Sequence, residues 1–175
     1  MFYFSNEITE YFMKFLSKEI KVSEMEQWIY DKNFLSELGD KTCELVVSLD
    51  FHSVFTEKDI EEFIINLYEE NFVDLTKERI TWIVSGMANG TYDLILGCAI
   101  LANLRSFGKD AEYIPILYVG YDSELEDIDH RYNKLIIEEK SEKERLFNFY
   151  KEKIHNLSIE FLNKLSGNFS EGINS

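Results

Sequence analysis

Residues 113–129 read YIPILYVGYDSELEDID. The first half is a compact apolar run. The second half carries five carboxylates, Asp122, Glu124, Glu126, Asp127 and Asp129, with no base among them. Pro115, the single proline of the chain, steers Ile114 away from helical backbone. Ile116, Leu117, Tyr118 and Val119 then form a run short and apolar enough for a strand. No second strand is evident to pair with it. The expectation is therefore at most one short extended segment near 114–120, anchored in a helical core by Ile116, Leu117 and Val119, with the acidic residues in an outward loop.

On the N-terminal side the sequence reads as a series of helices. Ile8, Tyr11, Phe12, Phe15 and Leu16 recur at helical spacing, as do Ile60, Phe63, Ile64, Leu67 and Tyr68. Ser23 with Glu26 has capping-box spacing and predicts a helix carrying Trp28, Ile29 and Tyr30 and ending at Gly39. Thr56 and Thr76 are candidate caps of the next two helices. The Asn89-Gly90 pair favours a turn. Thr91 or Asp93 then opens a helix that is apolar nearly all round, from Leu94 to Leu104, and ends near Gly108. A helix without a polar face is one surrounded by neighbours, and Gly97 inside it points to close helix packing. Residues 42–51, TCELVVSLDF, fit both a strand and a helix, with helix preferred. Beyond the acidic stretch, Ser141 with Glu144 predicts one long closing helix buried through Leu146, Phe149, Tyr150, Ile154, Leu157, Phe161, Leu162 and Leu165. The fold class expected is mainly α, a single-domain array of about six or seven helices over 1–166, with a flexible tail over 167–175.

Composition bounds the function. The 175 residues include 45 % hydrophobic and 15 % aromatic side chains and carry a net charge of −15. That is enough apolar content for a packed core. Nucleic acid is not an expected partner, because its phosphates must be met by clustered Lys and Arg. A field of this sign attracts basic partners. Cys43 and Cys98 lie in apolar surroundings, as buried thiols do in a reducing compartment. The N-terminus lacks the basic region of a signal peptide, and no apolar stretch is long enough to span a membrane. A cytoplasmic location is expected.

Candidate chemistry is sparse. The stretch from Asp122 fails as an EF-hand loop, since Asp127 stands where the sharp turn needs Gly and Asn133 where a bidentate Glu belongs. His52, His130 and His155 have no partner at metal-ligand spacing and no nucleophile motif beside them. Neither GxGxxG nor GxxxxGK occurs. No catalytic residue, metal or cofactor is therefore assigned, and a non-enzymatic role is expected. The candidate partner-binding residues are Asp122, Glu124, Glu126, Asp127 and Asp129, with Glu61 and Glu62 on a second acidic face. Two alternatives are a metal-dependent hydrolase using the 122–129 carboxylates and a helical adaptor protein.

Two stretches carry a resemblance. EMEQWIYDKNFLSELG (24–39) resembles a helix near the start of many small bacterial proteins encoded beside polymorphic or contact-dependent growth-inhibition toxins. ILANLRSFGKDAEYIPILYVGYDSELEDID (100–129) resembles a segment of related proteins in which an LRxxG helix leads to GxDSE. The matching positions are Leu104, Arg105, Gly108, Gly120, Asp122, Ser123 and Glu124. The resemblance implies an immunity protein, which binds one cognate toxin domain tightly, often a nuclease with a basic cleft. It assigns no contact residues.

Overall fold

The structure, a computed structural model, describes residues 6–31, 44, 46, 48–53, 55–71, 73–108, 111–132 and 137–171. Among the described residues there are seven helices and no strand. They are α1 (Asn6–Leu16), α2 (Val22–Asp31), α3 (Thr56–Glu70), α4 (Leu75–Asn89), α5 (Leu94–Phe107), α6 (Leu117–Arg131) and α7 (Ile137–Glu171). The protein is mainly α. It packs as two compact units, Met1–Arg79 and Ile80–Ser175, with the division inside α4.

The first unit is built on the helical stripes of α1, α2 and α3. Ile8, Phe12, Phe15 and Leu16 of α1 are buried, as are Met25, Trp28 and Ile29 of α2 and Ile60, Ile64 and Leu67 of α3. Phe12 is the hub. Its ring meets Trp28 at 6.3 Å, Phe63 at 6.4 Å and Tyr68 at 6.4 Å, each at a steep angle that brings ring edges to ring faces. Tyr11 stacks on Trp28 at 4.3 Å, so Trp28 is a core residue. α1 ends in a Schellman motif, in which Glu19 N–H donates to Lys14 O and Lys18 N–H to Phe15 O. Lys18 holds the left-handed position with φ 62°.

Several helix starts differ from expectation because a neighbouring residue wins the cap. α2 begins at Val22, and Glu24 rather than Glu26 reaches back, accepting from Lys21 N–H at 2.9 Å. Thr56 is the first residue of α3 rather than its cap; its hydroxyl contacts the carbonyls of Asp50 and Ser53. Asp74 caps α4 through Lys77 N–H at 3.0 Å. α7 starts at Ile137, four residues before Ser141, and continues to Glu171. The first five residues of the expected tail are thus helical, since extending an existing helix costs far less than nucleating one. The C-cap at Gly39, Cys43 and most of 42–47 lie outside the described residues, though Glu44 and Val46 are helical.

The second unit is organised around α5. Asp93 caps it by accepting from Ile95 and Leu96 N–H, and Gly108 closes it. Gly97, Cys98, Leu101 and Ala102 are buried, and Leu94, Ile95, Leu96, Ile100 and Leu104 pack partly buried against the same core. α6 and α7 both lie against α5. Gly90 takes φ 74° in the turn before it. A Cβ on Gly97 would sit 2.4 Å from Met87 Sδ and 3.2 Å from Tyr92 Cδ1, so the helix approach is close there. Ile154, Leu157, Phe161 and Leu165 of α7 complete this core. Among the described residues no helix is long and apolar enough to cross a membrane.

Candidate functional site

The acidic stretch is not a loop. Residues 117–131 form α6, and the allowance for an extended segment is not used. Pro115 sits just before the helix, where its missing N–H is no loss, and its carbonyl accepts from Tyr118 N–H at 3.2 Å. The restriction that Pro115 imposes falls on Ile114, outside the helix. An isolated strand would have left its backbone groups unpaired; the helix pairs them internally.

This change of period changes the anchors. Ile116 is 63 % exposed and Leu117 50 %, whereas Tyr118 is fully buried. Tyr118, Leu125 and Ile128 hold α6 to the core, with Ile114 buried just before it. The Tyr118 hydroxyl lies 3.0 Å from Ser158 Oγ, which itself donates to Ile154 O at 2.8 Å. Cys98 Sγ donates to Tyr118 O at 3.4 Å. Burial pushes the Tyr118 phenol and the Cys98 thiol up to about 12.

The five α6 carboxylates separate by face. Asp122, Glu126, Asp127 and Asp129 line a groove of about 650 Å³ together with the apolar side chains of Ile95, Ala99, Leu125 and Phe147 and with His130. Asp122 is half-buried. Burial first, and then the negative charge of Glu126, hold its carboxyl above the usual range. Glu124 points elsewhere and accepts from the Tyr150 hydroxyl at 3.2 Å. Asp127 meets Arg131 at 3.5 Å and Asp129 meets Lys143 at 2.6 Å. Residues three or four apart on a helix are about 5–6 Å apart, inside a Debye length of about 8 Å at physiological salt. The groove carboxylates therefore act together on an approaching cation, with Lys143 offsetting part of the charge at Asp129 and Arg131 part of that at Asp127.

Glu61 and Glu62 belong to the first unit. Glu61 accepts from Lys18 at 2.5 Å, with Glu57 bonded to the same ammonium, and Glu62 lies 3.4 Å from Lys58. Glu61 is thus tied to α1, while Glu62 borders a smaller groove of about 230 Å³ with Asp59 and Glu70 over Phe63 and Leu67.

Among the described residues no group of three or more His, Cys, Asp and Glu is arranged to hold a metal ion. His52 is exposed, His130 stands at the groove edge, and His155 Nε2 lies 3.1 Å from Ala88 O. The α6 groove can receive an aliphatic stem ending in a positive charge, the chemistry of Lys and Arg.

Sequence reasoning missed the apolar exposure at the start of α6. The signal was there: from Ile116, helical steps of three and four residues pass through Gly120, Ser123 and Asp127 without meeting an apolar side chain. No protein-family model, no curated protein and no solved structure matches the chain.

Proposed function

We propose that this chain is an immunity protein: a cytoplasmic bacterial binder that captures one cognate toxin domain and neutralises it by occluding its active site. The carrying observation is the α6 groove, where four carboxylates line a partly apolar surface on a chain of net charge −15. A toxin that acts on nucleic acid needs a basic cleft to hold phosphates. An acidic, partly apolar surface competes for that cleft, and its field speeds capture. The two stretches that resemble immunity proteins support the same reading, and α6 up to Asp129 lies within the second of them.

The test is direct binding to the C-terminal domain of the secreted protein encoded by the adjoining reading frame, together with rescue of growth on co-expression. The double substitution Glu126→Lys/Asp129→Lys should slow association at low salt at least about tenfold and flatten its salt dependence. Absence of both binding and rescue with the unaltered chain would end this reading.

A further inference from the structure

Gly120 has no reason within its own unit to be glycine. It lies inside α6, where glycine is the least favourable residue after proline. Its φ is not positive, and a Cβ built on it meets nothing within 4 Å. The other glycines of this unit before α7 are accounted for. Gly86 and Gly97 face Tyr92 and Met87, Gly90 holds a positive φ, and Gly108 closes α5. Gly167 is equally open, in the last turns of α7.

The surroundings of Gly120 are as informative as the residue. One face of α6 runs Ile116, Leu117, Gly120, Ser123, Glu124 and Asp127, and every one of these is exposed. Tyr113, 44 % exposed, extends the apolar end. Scattered apolar side chains on a surface mean little. Here three fall within five residues, beside a glycine that lets another backbone come close, and the same face then turns acidic. Gly97 likewise makes room for a neighbour, there the side chains of Met87 and Tyr92.

We propose that the outer face of α6 docks a basic amphipathic helix of a partner protein. Ile116 and Leu117 are its apolar anchors, Gly120 is the notch for the partner's backbone, and Glu124 and Asp127 are its counter-charges, Asp127 being shared with the groove. The occupant follows from charge. A second copy of the chain would bring another −15 and its own acidic face, whereas a helix bearing Lys or Arg complements it. Seven to eleven residues separate anchors from acids, about 10–17 Å along the axis. The partner helix therefore carries its bases two to three turns from its apolar pair. This surface rests on the toxin-binding reading and divides its work: the groove supplies the attractive field, and the outer face supplies the contacts that hold the complex.

The experiment measures association and dissociation rates of the adjoining-frame toxin domain with the full chain, alongside its sedimentation across a concentration series. Gly120→Trp and Leu117→Ser should each raise the dissociation rate at least about tenfold while leaving association little changed. Glu126→Lys/Asp129→Lys should do the reverse. Gly120→Trp points into open space and keeps the helix, which circular dichroism checks; Leu117→Ser, at a half-exposed site, gives a second reading. If both variants dissociate at the wild-type rate, the outer face is not the dock, and the toxin-binding reading still stands on the wild-type binding. If the wild-type chain binds no such domain, both fall. A dimer that Gly120→Trp dissolves would replace the basic partner with a second copy and overturn the proposal.

Discussion

Two glycine-to-alanine changes, both in helix interiors of the second unit, should move stability in opposite directions. Each gains about 1 kcal/mol of helix propensity. At Gly120 nothing lies within 4 Å of the new methyl, so the gain stands, and Gly120→Ala should be stabilising by about that amount. At Gly97 the methyl would lie 2.4 Å from Met87 Sδ and 3.0 Å from its Cγ, with Tyr92 Cδ1 at 3.2 Å. Met87 is fully buried and has no solvent to retreat into. Overpacking a core of this kind costs about 1–3 kcal/mol, which cancels or exceeds the propensity gain. Gly97→Ala should therefore be neutral to destabilising by about 2 kcal/mol, and the two variants should differ by about 1–3 kcal/mol. The assay is urea unfolding followed by Trp82 fluorescence in a Trp28→Phe background. The two tryptophans fall one in each unit, so Trp82 reports on the second. Met87→Ala combined with Gly97→Ala should show favourable coupling, because the smaller side chain makes room for the methyl. If Gly97→Ala raises the urea midpoint as much as Gly120→Ala does, the close approach at Gly97 is wrong.

The buried Tyr118–Ser158 pair should respond asymmetrically. Tyr118→Phe leaves Ser158 bonded to Ile154 O and should cost about 1 kcal/mol, whereas Ser158→Ala takes the acceptor from a buried phenol and should cost about 1–3 kcal/mol; equal losses in urea titrations would contradict the geometry. In alkali, Tyr68, Tyr118 and Cys98 are each held to about 12 by burial, above ordinary values of 10.0, 10.0 and 9.0. Groups raised in the folded state stabilise it below their unfolded pKa and lose that contribution as pH climbs to the folded one. Melting temperature should therefore fall between about pH 9 and 12, in step with tyrosinate absorbance, and a flat profile would refute the burial of these groups. The Asp122 carboxyl is raised by burial and by Glu126, so its ionised form opposes folding. Asp122→Asn should raise the melting temperature at neutral pH and lose that advantage at acid pH, where both side chains are neutral; a loss at neutral pH would show that the ionised group is favourably paired.

The site divides into what periodicity exposes and what it hides. The acidity of residues 122–129 and the Glu61–Glu62 face are visible at once, because charge belongs to each residue alone. Which acids meet is not. Asp122, Glu126, Asp127 and Asp129 converge on one groove while Glu124 turns to Tyr150, and Glu61 is held by Lys18, 43 residues away in sequence (Glu57 meets the same lysine). Phe149 has the spacing of a buried residue yet is half exposed, with Lys153 Nζ 4.6 Å above its ring.

Local physics settled α1, α3, α5 and much of α7 from sequence, because a sustained 3.6-residue stripe must bury one face and admits one secondary structure. It also settled Gly108 and narrowed the cap of α5 to Thr91 or Asp93, of which the structure uses Asp93, since a cap bonds only to residues within a turn of itself. Residues 113–129 were different. A short apolar run beside a proline is compatible with strand or helix, and the choice depended on neighbours that sequence does not place. With α5 and α7 alongside, a helix buries Tyr118, Leu125 and Ile128 and satisfies its own backbone. A lone strand would have buried every second residue and left its hydrogen bonds without a partner. That long-range decision turned Ile116 and Leu117 outward and left Gly120 open between them and the acids.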